Sequence, residues 1–350
     1  MKRKYFAFIA VAAMLAAGCN PSARTSGETC NLSGAGATFP EPFYSMAFDA
    51  FAASSGHQVN YGGIGSGGGV RNLKDKIVDF AGSDAFLNDS EMEEMEAVVH
   101  VPTCMGAVVL GYNLPELSEL KLSGEVVADI FAGKITQWND VRIKALNPLA
   151  KLPAKSIIPV FRSDGSGTTF VFTHYLSQVS EAWSSQFGAA KSVDFPVGQA
   201  AKGNPGVSSV VSQTPYSIGY IGSEYAFAQQ IAMAKLQNAK GEFVEPSVQS
   251  ISAAAKGELP QDTRTMITNS DAKGAYPISC FTWLIVYREQ HYADRSQAQA
   301  QATVDLLKFM IQGTIQQSAH LVNYAPLPKS MVKTSLENIK QITYDGKPLQ

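Results

Sequence analysis

Residues 157–177 read IIPVFRSDGSGTTFVFTHYLS. IIPVF (157–161) is a short run of apolar and β-branched residues, the composition of a buried strand. From Thr168 to Ser180 apolar residues recur at helical spacing. Between the two stands Arg162-Ser163-Asp164-Gly165-Ser166-Gly167, a loop of small and polar residues. The strand–loop–helix unit recurs along the chain. HQVNY (57–61), DFAG (79–82), GAVVLGYN (106–113), IGYIG (218–222) and FTWLIVY (281–287) read as further strands. Residues 40–54, 70–77, 126–131 and 300–312 read as helices with apolar faces, such as Phe43, Ala47, Phe48 and Phe51 on the first. Such alternation predicts an α/β fold with parallel sheets, and a chain of 350 residues is long enough for two lobes.

Three strand-to-helix junctions share one chemistry. The first is Gly34 to Glu41 (GAGATFPE), where Thr38 and Glu41 have capping-box spacing and Pro40 falls in the first turn. The second is Gly62 to Gly69 (GGIGSGGG), and the third is Asp164 to Thr168 (DGSGT) beside Arg162. Each presents hydroxyls and unhindered N–H groups at a helix N-terminus, where the first donors lack intrahelical partners and the dipole favours negative charge. Three in one chain point to convergence on a small anion.

Other chemistries fit less well. Gly63 to Gly68 satisfies G-x-G-x-x-G, and Asp84 follows about twenty residues later. A dinucleotide would explain that loop but not the other two. Neither Ser66 nor Ser166 sits in G-x-S-x-G, the five His residues show no metal spacing, and G-x-x-x-x-G-K-[ST] is absent. A phosphatase or phosphotransferase would need a nucleophile, a metal cluster or an activated base, and no such spacing appears.

Residues 1–18 combine Lys2, Arg3 and Lys4 with an apolar run and small residues, the pattern of a cleaved export signal. Leu15-Ala16-Ala17-Gly18-Cys19 resembles a bacterial lipoprotein box, with Cys19 as the lipidated residue, and residues 19–30 read as a flexible tether. Removing residues 1–18 moves the formal charge from −2 to −5. No basic patch for nucleic acid is evident. Of the other cysteines, Cys104 and Cys280 each open a strand-like run and could form a disulfide or stay as two buried thiols.

LSGAGATFPEPFY (32–44), VNYGGIGSGGGV (59–70), VDFAGSDAFL (78–87), ADIFAGKITQWND (128–140), FRSDGSGTTFVFTHYL (161–176), KGNPGV (202–207), SIGYIGSEYA (217–226) and DGKPL (345–349) together resemble the periplasmic phosphate-binding component of the high-affinity phosphate ABC transporter. The resemblance runs from about Leu32 to the C-terminus. It implies a two-lobed periplasmic-binding-protein fold of type II, each lobe a mostly parallel sheet flanked by helices, with lobe 1 formed by 31–110 and 279–350 and lobe 2 by 111–278. It also implies inorganic phosphate in the interlobe cleft, no enzymatic activity, no cofactor or metal, a monomer, and delivery to a transmembrane permease with a cytoplasmic ATPase.

By the same resemblance Thr38, Phe39 (through its N–H), Ser66, Asp84, Arg162, Ser166, Gly167 and Thr168 bind the phosphate. Gly67 stands where many relatives have a second Ser, removing a hydroxyl donor while leaving an N–H. The chemistry of these residues suits the ligand. Hydroxyls, N–H groups and a guanidinium donate to phosphate oxygens, and Asp84 accepts a P–OH proton that sulfate lacks. Asp164, two residues from Arg162, has two readings: a bidentate partner that orients the guanidinium, or the N-cap of the helix that follows. A receptor for sulfate or molybdate, or a phosphate-sensing lipoprotein, would share this architecture.

Overall fold

The computed structural model describes residues 28–115, 117–257 and 260–350. The stretches read as an export signal, a lipoprotein box with Cys19 and most of a tether lie outside the described residues. One mixed sheet dominates. Its strands, in chain order, are β1 (Asn31–Gly36), β2 (Gln58–Gly63), β3 (Phe80–Ser83), β4 (Val98–Tyr112), β5 (Ile158–Arg162), β6 (Gln199–Ala201), β7 (Ser217–Gly222), β8 (Ala232–Met233) and β9 (Ser279–Tyr287). They lie in the order β2-β1-β3-β9-β4-β7-β5-β6, with β8 also on β4.

The outer strands pair in parallel, β1 with β2 and β3, and β5 with β6 and β7. The centre is antiparallel instead: β9 pairs with β3 and β4, and β4 pairs with β7 and β8. The sheet is therefore more mixed than the βα repeat predicts, because β4 and β9 carry the chain across the middle in opposite directions. Residues 98–107 of β4 pair with β9, and residues 108–112 pair with β7. Every residue of β9 is buried, as are those of β4 after Val98, so both strands are mainly apolar without alternation, broken only by buried polar residues such as His100, Thr103, Ser279 and Thr282.

Five helices matter for the site: α1 (Glu41–Ser55), α2 (Ser66–Lys74), α3 (Gly167–Val179), α4 (Gly203–Gln213) and α5 (Ser223–Ala228). On α1, Phe43, Tyr44, Ala47, Phe48 and Phe51 face the core at helical spacing. On the other side, Phe172 of α3 stacks on Tyr220 of β7 with ring centroids 4.4 Å apart.

Several local expectations change. Asn31–Gly36, absent from the strands read in the sequence and overlapping the first junction, is β1; its Gly and Ala residues carry little strand propensity, and tertiary pairing on two sides outweighs that. The Thr38/Glu41 capping box does not form. Pro40 occupies the cap position without a side-chain bond, because the Thr38 hydroxyl is directed to Asn204. α2 begins at Ser66, four residues earlier than its first apolar residue suggests. Cys30, Cys104 and Cys280 are all free and buried. Cys104 faces Thr282, while Cys280 faces Gly106, so the two thiols sit diagonally across β4 and β9 without a bridge.

Candidate functional site

The parallel strands β1, β2 and β5 end at one edge, and each hands over to a helix through one of the three loops. This is the crevice beyond the carboxyl ends of strands where α/β folds collect ligands. Thr38, Phe39, Ser66, Asp84, Arg162, Ser166, Gly167 and Thr168 are all buried there.

The second and third loops touch. Gly67 N–H donates to the Gly165 carbonyl at 2.9 Å. Gly65 has φ +87°, and a Cβ on it would lie 2.3 Å from an Asp164 carboxylate oxygen. Glycine is required there by both conformation and space. Because the Gly67 N–H is already paired with Gly165, it does not remain as a donor in place of the missing serine hydroxyl. A Cβ at Gly67 would come within 3.3 Å of the same carbonyl.

Ser66 Oγ accepts from the N–H groups of Asp84, at 3.3 Å, and Gly167, at 3.1 Å. Both lone pairs are thereby occupied, and its proton is left to donate. Ser166 caps α3, its Oγ accepting from Thr169 N–H at 3.0 Å. Asp164 is thus not the cap of that helix. Its carboxylate instead takes two bonds from Arg162, Nε to Oδ1 at 2.8 Å and Nη2 to Oδ2 at 2.5 Å, and a third from Gly203 N–H at 2.9 Å. Burial works against ionisation of Asp164, yet the Arg162 bonds hold it below the usual carboxylate range.

Asp84 follows β3 and is almost fully buried. Its Oδ1 accepts from Thr282 Oγ1 at 3.0 Å and its Oδ2 from Thr168 Oγ1 at 3.2 Å. Burial pushes its pKa up to about 7 against those two bonds and the Arg162 charge. Arg162 Nη1 also reaches Thr168 Oγ1 at 3.3 Å. Donors and one acceptor therefore surround the same point: the Arg162 guanidinium, the hydroxyls of Ser66 and Thr38, whose lone pairs are filled by N–H groups, and the first-turn N–H of Thr168, against the Asp84 carboxyl. Such an arrangement is built for a small oxyanion that carries a proton.

Sequence reasoning missed several participants. Asn204, fully buried at the start of α4, donates to both Thr38 and Thr168; it lies in the KGNPGV block, but no motif assigned it a partner. Thr282 lies inside the apolar run of β9 and reads as a strand residue. Tyr225 and Tyr324 donate to the carbonyls of Thr38 and Phe39, both at 2.5 Å, and hold the first loop from two sides. Glu224 is buried, with Oε1 unpartnered among the described residues and its pKa pushed up to about 8 by burial. No cluster of His, Cys, Asp and Glu with metal-binding geometry occurs among the described residues, and none of the described helices is long and apolar enough to cross a membrane.

Residues 20–312 match the model of the PBP superfamily domain. The chain is 40% identical over 308 residues to the phosphate-binding protein PstS of Pasteurella multocida, covering 86% of this chain and 88% of that protein. It is also 40% identical over 311 residues to PstS of Haemophilus influenzae, with 87% and 91% covered. The crystal structure of a phosphate-binding protein from Stenotrophomonas maltophilia shares the fold with a TM-score of 0.66 at 22% identity, over 87% of this chain and 92% of that one.

Proposed function

We propose, from the premise that this chain belongs to the PBP superfamily and within it to the PstS phosphate-binding proteins, that it captures inorganic phosphate and delivers it for import by an ABC transporter. The observation that carries this reading is the buried Asp84 carboxyl set among buried donors. Donors alone would accept any oxyanion. An acceptor in the same ring selects for one with a proton, since a site built to bond a ligand hydroxyl rejects analogues lacking it by about 10⁴ to 10⁵.

In this reading Thr38, Ser66, Arg162, Ser166, Gly167, Thr168 and the Phe39 N–H bind the anion, Asp84 reads its proton, and Asp164 orients Arg162. Hydrogen bonds to a charged partner are worth about 1.5 to 3 kcal/mol each, so such a ring supports tight binding after desolvation is subtracted. The Thr168 hydroxyl already donates to Asp84, so Thr168 serves the anion through its helix-opening N–H. The proposed lobes are 31–110 with 279–350, and 111–278; the exchange of β4 partners between Ala107 and Val108 supports that boundary. The protein is read as a monomeric receptor rather than an enzyme, tethered outside the cytoplasm through lipidated Cys19 and serving permease subunits with a cytoplasmic ATPase.

Calorimetric titration of a form beginning after Cys19 and stripped of ligand tests the proposal. One-to-one phosphate binding that excess sulfate leaves untouched is the expected result. No phosphate binding, or equal competition by sulfate, refutes it.

A further inference from the structure

Asn204 stands between two hydroxyls, Thr38 of the first loop and Thr168 of the third. Its backbone N–H and its side-chain Nδ2 both donate to Thr38 Oγ1, each at 3.0 Å. The same Nδ2 donates to Thr168 Oγ1 at 3.1 Å. Its Oδ1 accepts from Gly222 N–H at 3.0 Å. That last bond settles which end of the amide carries the NH₂ group, because an N–H can only be met by the oxygen.

The consequence is directional. Thr38 Oγ1 receives two hydrogen bonds, so both lone pairs are filled and its own proton is free only to donate. Thr168 Oγ1 receives one bond from Asn204 and one from Arg162 Nη1, and gives its proton to Asp84 Oδ2. Without these donors either hydroxyl could turn and accept. We infer that Asn204 is a specificity-determining positioning residue: by filling the acceptor sites of Thr38 and Thr168 it holds Thr38 as an obligate donor to the anion and Thr168 as a donor to Asp84. A proton on the bound anion then has no acceptor at the Thr38 end and is directed to Asp84.

The inference rests on the phosphate reading and adds a residue to it. The charged and titratable groups around the two hydroxyls are Arg162 on β5, with Asp164 behind it, Asp84 after β3, Glu41 on α1, and Glu224 and Tyr225 on α5, the last donating to the Thr38 carbonyl. None of them substitutes for the amide, because both lone pairs of Thr38 are filled by Asn204, one by its backbone N–H and the other by its side-chain Nδ2.

The test is phosphate titration of four proteins, wild type, Asn204→Ala, Thr38→Val and the double variant, with Asn204→Asp measured across pH. Wild-type binding first establishes the phosphate reading; if it is absent, reading and inference fall together. Given binding, Asn204→Ala is expected to weaken it about ten- to hundredfold. In the Thr38→Val background the same change should cost clearly less, because its main target is gone. Additive losses, or a loss under about twofold, overturn the inference and leave the phosphate reading intact. Asn204→Asp keeps the acceptor for Gly222 N–H, so it preserves the fold if alanine does not. It turns the donor to both hydroxyls into an acceptor, and Thr38 then faces the ligand with a lone pair. Binding by this variant should recover as pH falls and phosphate takes up a second proton, more steeply than in wild type. A pH profile parallel to wild type overturns the inference.

Discussion

Arg162 and Asp164 are joined by two hydrogen bonds within a three-residue span, Nε to Oδ1 at 2.8 Å and Nη2 to Oδ2 at 2.5 Å, with the guanidinium side chain 1% exposed and the carboxylate 11%. Two of the guanidinium's three nitrogens are thereby committed to the protein, and Nη1 is turned toward Thr168. In the proposed reading the carboxylate does not block an anion: it fixes the direction of the fork and offsets its charge before any ligand arrives.

Removing this partner should therefore destabilise the protein more when it is empty than when it is loaded. Breaking a buried ion pair from one side costs about 3 to 5 kcal/mol. Asp164→Ala is expected to lose that order of stability in urea unfolding without phosphate, and to regain part of it with phosphate, whose charge re-pairs Arg162. Asp164→Asn should alter both the affinity and its salt dependence. If both stayed as in wild type, Asp164 would have no orienting role.

Asp84 sets the second prediction. With its pKa pushed up to about 7 by burial, it is an acceptor above that pH and increasingly a donor below it. Sulfate should compete poorly at pH 8 and better at pH 6, where a neutral carboxyl can donate to it. Asp84→Asn should bind phosphate more weakly than wild type and sulfate more strongly, at every pH. Competition titrations at the two pH values decide the matter, and unchanged sulfate exclusion in the Asn variant would refute the proton-reading role.

Glu224 predicts a pH dependence of stability. A carboxyl whose folded pKa is raised to about 8 binds a proton in the folded state that the unfolded chain releases near pH 4. Its stabilising contribution is present below the unfolded value and is lost as pH rises toward 8. His100 acts in the opposite sense at lower pH, since burial lowers its pKa to about 3 and folding there opposes its protonation. The clean comparison is wild type against Glu224→Gln. The variant should gain stability relative to wild type between pH 5 and 8, measured by urea unfolding, and a constant difference would show that Glu224 does not titrate in this window.

Gly167 separates ligand binding from folding. A Cβ there would lie 2.4 Å from Ser66 Oγ and 2.8 Å from the Asp84 Cβ, across the contact between two loops. Overpacking of this kind costs about 1 to 3 kcal/mol. If the contact forms fully only around the ligand, Gly167→Ala raises the phosphate Kd roughly 5- to 150-fold and leaves the unfolding midpoint of the empty protein nearly unchanged. An equal loss in both would place the contact in the empty protein as well.

The Lys191–Glu91 pair, at 2.6 Å, bridges the two proposed lobes beside the site, and the Lys191 carbonyl accepts from Ser166 N–H at 2.8 Å. Partly exposed pairs are worth about 0.2 to 1 kcal/mol. Glu91→Gln should weaken phosphate binding no more than about fivefold, and the difference should vanish at high salt. A larger, salt-insensitive effect would mean that this contact is more than a surface ion pair.

The α/β class, the three anion-suited loops and the pairing of Arg162 with Asp164 were legible in the sequence because each depends on short-range chemistry: apolar periodicity, helix-opening hydroxyls, and opposite charges two residues apart. Tertiary structure alone decided the rest. Asn204 acquires its role only when α4 meets residues 166 and 36 positions away, Thr282 only when β9 lies beside the end of β3, and the pKa of Asp84 only when burial removes its water. The Thr38–Glu41 spacing promised a local cap, yet the hydroxyl turned to a distant amide. A side chain with two potential partners takes the one that the fold buries with it, since an unmet polar group costs more inside the protein than at a solvated helix end.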